Sequence, residues 1–166
     1  MVLKLPNRFD ENEWLVILGF VTLLFIFIIS KKQFPTALTF LFLLLTAYLA
    51  MSVDFILATK FSYDFYDAMD ISGYNLFDFF MTNFNYSLIG YLFIHYYDKL
   101  QVSGARRVSY ILFWLVVALV LETICVKLHV YTYHNWNLAY SSIAYLIIFF
   151  FYILFLKIGK HTMTRA

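Results

Sequence analysis

The chain has 166 residues, of which 63% are apolar or aromatic, 22% aromatic and only 13% charged, with a mean hydropathy of +0.78. A water-soluble domain carries about a quarter charged residues because its surface must be solvated, so much of this surface meets lipid instead. Five Gly, two Pro and a single cysteine, Cys125, exclude collagen, a long flexible linker and an intramolecular disulfide, and a net charge of +2 on scattered basic residues gives no footprint for nucleic acid.

Crossing a hydrocarbon core about 30 Å thick takes about 17 to 25 apolar residues as a helix. The charged residues cut the chain into five stretches of that length. The first covers residues 14–30 and stops at Lys31 and Lys32. The second covers 34–53, with Pro35 in its first turn, where a missing N–H costs nothing. The third lies in a long aromatic run, 71–97, interrupted by Asn75, Asp78, Asn83 and Asn85, and counting back from Asp98 places its buried part at 79–97; the fourth is 108–126 and the fifth 138–156. Apolar residues run on for about five turns instead of alternating over about ten residues, so each span reads as a helix and not a barrel strand. The fold class expected is an all-α, polytopic transmembrane helical bundle of about five helices, forming a single integral membrane domain over 1–166. Asp10, Glu11 and Glu13 precede the first span and no A-x-A site closes it, so it reads as retained and not as a cleaved signal peptide.

Five spans put the termini on opposite sides. Lys31, Lys32, Lys99, Arg106, Arg107, Lys157, Lys160 and Arg165, eight of the twelve basic residues, then share one side, which the positive-inside rule makes cytoplasmic. The N-terminus is therefore expected outside and the C-terminus inside. Asp98 is the one acidic residue on the inner side. Small-residue packing is limited to pairs such as Ser87 with Gly90, and the Tyr and Trp residues near span ends, Tyr131, Tyr133 and Trp136 among them, read as headgroup anchors. His95, beside Tyr96, Tyr97 and Asp98, reads as interfacial.

An ionisable residue at the centre of a span costs about 2.5 to 3.5 kcal/mol on the insertion scale, so each needs a role or a partner. Glu122 is the leading case. Offsets of three, four and seven residues place Cys125, Val126 and His129 on its face of a continuing helix, a stripe able to relay a proton or contribute to a metal site. Glu122 and His129 are about 10 Å apart along such a helix, too far to ligate one ion, whereas Cys125 with His129 would make half of a zinc site lacking two further ligands. The structural alternative bonds Glu122 to a Tyr, Asn or His of a neighbouring helix. A second group is acidic: Asp54, Asp64, Asp67 and Asp70 in an outer loop rich in aromatics, read either as a divalent-cation site or as a solvated face. Asp78 either caps the third span or faces Glu122. The loop from His129 through His134 to Ser141 brings two titratable histidines to the ends of the last two spans.

Nucleophile elbows, zinc-protease motifs, thiol pairs and phosphate cradles are all missing from the sequence, so catalysis has no positive signal and no cofactor is indicated. The expected reading is a non-enzymatic membrane protein, with the lipid bilayer as its partner and an outward-facing polar pocket formed by Glu122, His129, His134, Asp78 and Cys125. A transport or binding subunit for a small cation, proton or ligand is one alternative, and a metal-dependent membrane enzyme is another.

The run Glu122, Cys125, Tyr131, Tyr133-His134, Trp136-Asn137 and Ser141, with Pro35-Thr36 opening an early span and a basic tail containing His161, resembles a family of small multi-pass membrane proteins of endospore-forming bacteria. The likeness extends over most of the chain and is specific in the last third. It implies a bacterial cytoplasmic membrane and the same helical architecture, and it implies no activity.

Overall fold

The computed structural model describes residues 9–58, 65–69 and 76–163. Helix α1 is Glu11–Ile29, α2 is Thr36–Ala58, α5 is Arg106–Lys127 and α6 is Leu138–Met163. These four are long and apolar enough to cross a membrane. Between them runs a fifth rod, made of α3 (Leu76–Phe80), a π-helical turn (Met81–Asn85) and α4 (Tyr86–Lys99). Two three-residue strands, β1 (Tyr66–Ala68) and β2 (Tyr131–Tyr133), complete the described elements as an antiparallel pair. The expected all-α bundle of five helices is thus observed. The helices overrun the expected spans by a few residues, most at the end of α2, where Asp54 becomes helical, and at the end of α6.

The rod containing α4 is the hub of the bundle. Leu92, Phe93, Ile94 and His95 are buried on consecutive positions, so α4 is covered on every side, whereas α1, α2, α5 and α6 each expose a stripe of Leu, Ile, Phe or Val. That division explains the polar interruptions of the third span, because a helix whose neighbours are all protein can satisfy Asn, Ser and Thr locally. Asn85 Nδ2 donates to the Val16 carbonyl of α1 at 3.0 Å, Ser87 Oγ to the Asn83 carbonyl at 2.7 Å, and Thr46 Oγ1 of α2 to the Ser87 carbonyl at 3.2 Å. The π turn is the place where such side chains take over carbonyls that leave the regular ladder. Ser87 and Gly90 mark the close approach of α2 and α4, as their spacing suggests.

Asp10 caps α1 in a reciprocal box with Glu13, whose Oε2 accepts from the Asp10 N–H at 2.9 Å. At the opposite end of the bundle, Asp98 accepts from Lys160 Nζ at 2.6 Å and from Gln33 Nε2 at 3.2 Å, and Arg107 Nε donates to Tyr97 OH at 2.9 Å. These bonds gather the first loop, the α4–α5 connection and the end of α6 at one basic end, so the helices alternate in direction. The start of α1 and the two strands lie at the other end, called the strand end below. Asp98, the exceptional acid on the basic side, holds that end together. His95 departs from its expected interfacial place. It is fully buried among Phe34, Tyr91 and Tyr96, because the hub helix turns this face inward.

Candidate functional site

A cavity opens inside the strand half of the bundle, with about 140 Å³ accessible to the centre of a water-sized sphere. One water needs about 10 to 15 Å³ on that measure, so the space suffices for several waters or one small organic group. Helix α2 contributes Ala50, Val53, Asp54 and Leu57; the hub contributes Tyr86, Ile89, Gly90 and Phe93; α5 contributes Trp114, Leu121 and Glu122; α6 contributes Ser141, Tyr145, Phe149 and Tyr152. Tyr66, Tyr131, Tyr133 and Trp136 line its strand-end side.

These last residues are placed by the strand pair. Register sets Tyr66 opposite Tyr133, Asp67 opposite Thr132 and Ala68 opposite Tyr131. Alternation along a strand turns Tyr66, Tyr131 and Tyr133 toward the bundle and leaves Thr132 exposed and Asp67 partly so. Tyr66 and Tyr131 stack edge to face at 5.6 Å, and Trp136 lies 5.5 Å from Phe65 and 6.2 Å from Tyr66. Tyr131, Tyr133 and Trp136, expected as headgroup anchors, instead form a roof.

Glu122 is buried, with 7% of its surface exposed. Its Oε1 accepts hydrogen bonds from Ser141 Oγ at 2.5 Å and from the Tyr133 hydroxyl. Trp136 Nε1 in turn donates to Ser141 Oγ at 2.8 Å, and Tyr145 lies beside the same carboxylate. Hence α5, β2 and α6 are tied at one oxygen. The second oxygen, Oε2, is buried and has no hydrogen-bond partner among the described residues. Across the cavity Asp54 Oδ1 accepts from Tyr66 OH at 2.5 Å. Two carboxylates therefore line a cavity whose described lining contains no Lys, Arg or His. Burial, and then the bond to Glu122, raise the Tyr133 phenol above its ordinary value of 10.0, and burial followed by the Asp54 charge does the same for Tyr66. Both hydroxyls stay protonated, and so remain donors, at physiological pH.

The structure separates the expected pocket residues. Helix α5 ends at Lys127, and its last carbonyls are closed by a Schellman pair: Val130 N to Cys125 O at 2.8 Å and His129 N to Val126 O at 3.3 Å. His129 is the left-handed residue of that cap, with φ 56°, and it is exposed. The face carrying Glu122 and Cys125 stops before reaching it. His134 is also turned away, its Nε2 lying 2.9 Å from Asp67 Oδ2 on the exposed side of the strand pair. Neither histidine lines the cavity, and Cys125 packs instead against the Val16, Tyr66 and Val130 cluster. The acidic group is divided as well. Asp54 faces inward from α2 and Asp67 pairs with His134, while Asp64 and Asp70 lie outside the described residues, as does the side chain of Asp78, whose backbone is in α3. Among the described residues no three His, Cys, Asp or Glu side chains converge as a metal shell would require. Tyr133, Trp136, Ser141 and Tyr145 complete the site; the first three belong to the polar-aromatic run from His129 to Ser141, whereas Tyr145, one turn further along α6, carries no ionisable signal in the sequence.

Replacing His129 by Gly should raise stability in detergent by about 0.5 to 1 kcal/mol, because a left-handed C-cap favours glycine. A fall in the denaturation midpoint would show that the imidazole makes a bond that its exposed position does not provide.

Comparison with protein-family models, with curated proteins and with solved structures gives no match.

Proposed function

We propose that this chain is a non-enzymatic integral protein of a bacterial cytoplasmic membrane, N-terminus outside and C-terminus inside, whose outward-facing Glu122 cavity binds a small organic cation. The observation that carries the reading is the buried Oε2 of Glu122, without a hydrogen-bond partner among the described residues, on a side chain anchored through Oε1 that lines an aromatic cavity whose described lining holds no counter-ion. A carboxylate oxygen fixed in this way costs several kcal/mol if it meets only hydrocarbon, and an adjacent positive charge offsets that cost. The lining decides which cation. Hydrated Na⁺ needs several oxygen ligands, whereas an organic ammonium gains about 0.5 to 2 kcal/mol from each ring face it meets and pairs its charge with the carboxylate without needing an N–H. Ten aromatic side chains line the cavity beside two carboxylates, which favours the ammonium. The placement of basic residues at the opposite end supports the orientation.

The test is ligand-linked stability. Tetramethylammonium chloride should raise the melting temperature of the detergent-purified protein above that seen in NaCl of equal ionic strength, by the stabilisation of about 2.7 kcal/mol that a hundredfold excess over Kd confers. Glu122→Gln keeps an acceptor for Ser141 and Tyr133 but turns an amide into the cavity, so it should abolish the increment. Equal effects of the two salts on the unmodified protein would refute cation binding.

A further inference from the structure

The cavity has a neighbour on the surface of the bundle. A second hollow lies between α2 and α6 on the lipid-facing surface of the strand half, bordered by Ile56 of α2 and by Ile143 and Ile147 of α6, with Asn135 and Tyr140 near the end of α6. Its volume on the same measure is about 510 Å³. Val53, Leu57, Trp136, Ala144 and Ile148 line both hollows, so the two adjoin across a shared wall. Ile56, Ile143 and Ile147 are 52%, 59% and 52% exposed and belong to two helices that cross the membrane, so the groove faces hydrocarbon. The opening follows from how these helices pack. They meet at the basic end, where Phe42 lies 5.4 Å from Phe155 and Gly159 sits against Leu38, and the groove separates them toward the strand end.

We infer that the ligand is a cationic amphiphile that enters from the bilayer, its ammonium head at Glu122 and its hydrocarbon chain leaving between α2 and α6; this rests on the cation reading above. Two features of the site select the occupant. The inner end carries Glu122 with one buried oxygen lacking a partner, and Asp54 nearby, so the head bears positive charge. A phosphate group beside two carboxylates would be repelled, which disfavours an ordinary phospholipid and favours a lipophilic amine or quaternary ammonium. The outer end is apolar and opens on lipid, so the tail exchanges one hydrocarbon contact for another and requires no desolvation. Trp136 and the strand pair roof the cavity at the strand end, so the chain leaves through the wall that the two hollows share.

The experiment measures binding of radiolabelled tetramethylammonium to the full-length protein in maltoside micelles, and its displacement by dodecyltrimethylammonium. Ile143 and Ile147 belong to the groove alone. Ile143→Trp and Ile147→Trp should each weaken displacement by the twelve-carbon compound by about tenfold, or about 1.4 kcal/mol, while direct binding of tetramethylammonium stays within about twofold. Unchanged displacement in both variants, with tetramethylammonium still bound, would overturn lateral seating of the chain and leave the cation reading intact. No binding of either compound by the unmodified protein would overturn both.

Discussion

Gly90→Ala should destabilise the protein by about 1 to 3 kcal/mol, the usual cost of overpacking a filled interior. The sign is the informative part. On helix propensity alone, alanine in place of glycine inside a helix gains about 1 kcal/mol. Here an added Cβ would lie 2.5 Å from Thr46 Cγ2, 2.9 Å from Thr46 Cβ and 2.8 Å from the Tyr152 hydroxyl, all inside van der Waals contact. Thr46 is itself fully buried, and its Oγ1 donates within α2 and to Ser87 of α4, so it is not free to swing away. A second change separates this crowding from a generic effect of the glycine. Thr46→Ser removes Cγ2 and keeps the hydroxyl, so Gly90→Ala with Thr46→Ser should recover part of the loss, a coupling readable in a double-mutant cycle. A stabilised Gly90→Ala protein would mean that α2 and α4 are further apart than described.

Glu122→Leu carries the second large effect, and again two physical terms oppose each other. Removing a carboxylate from a membrane helix favours insertion by a few kcal/mol, and replacing a buried charge with a well-packed apolar side chain is often neutral or stabilising. Against this, Ser141 and Tyr133 lose their acceptor, and Trp136 loses the partner that fixes the Ser141 hydroxyl it bonds. Each buried donor left unpaired costs about 1 to 3 kcal/mol. With two such hydroxyls and the loss of the bond that joins α5 to α6, the expected result is a net loss of about 2 to 4 kcal/mol, measured as a lower denaturation midpoint in detergent. Glu122→Gln, which retains an oxygen for both hydroxyls, should lose no more than about 1 kcal/mol. A Leu variant as stable as the parent would make Glu122 a tolerated charge and not a knot between helices.

The bundle was legible because its signal is one of length. Uninterrupted apolar stretches between charged residues mark α1, α2, α5 and α6, and the sorting of Lys and Arg matches the basic end that Asp98, Gln33, Lys160 and Arg107 assemble. The central position of α4 was not legible. Asn83, Asn85 and Ser87 look like defects in a lipid-facing helix, and become ordinary once every neighbour is protein. The strand pair was invisible for another reason: β1 and β2 are three residues each, and their partners lie far apart in the chain. Only the alternation of Tyr131-Thr132-Tyr133 hinted at an inward and an outward side.

At the site itself, the energetic cost of a buried carboxylate picked out Glu122 correctly as a residue with partners. Helical periodicity then led to His129, because a stripe calculated at offsets of three and four assumes that the helix continues. It ends at Lys127, and the partners arrive instead from 11 and 19 residues away through the strand and the first turn of α6. His134 and Asp67 were each visible as polar, but their pairing depends on the register of two strands that sequence did not reveal. A Tyr, Asn or His of a neighbouring helix is the expected structural partner of Glu122; the structure places a tyrosine there, but from a strand.

The most direct measurement is an infrared difference spectrum of the detergent-purified protein, recorded with and without tetramethylammonium and repeated on Glu122→Gln. Binding at the free Oε2 predicts a shift in one carboxyl or carboxylate band that disappears in the Gln variant, together with a change in the tyrosine ring modes from the hydroxyls around it. A spectrum in which ammonium leaves every acidic band in place, or moves the same band equally in Glu122→Gln, would contradict the account.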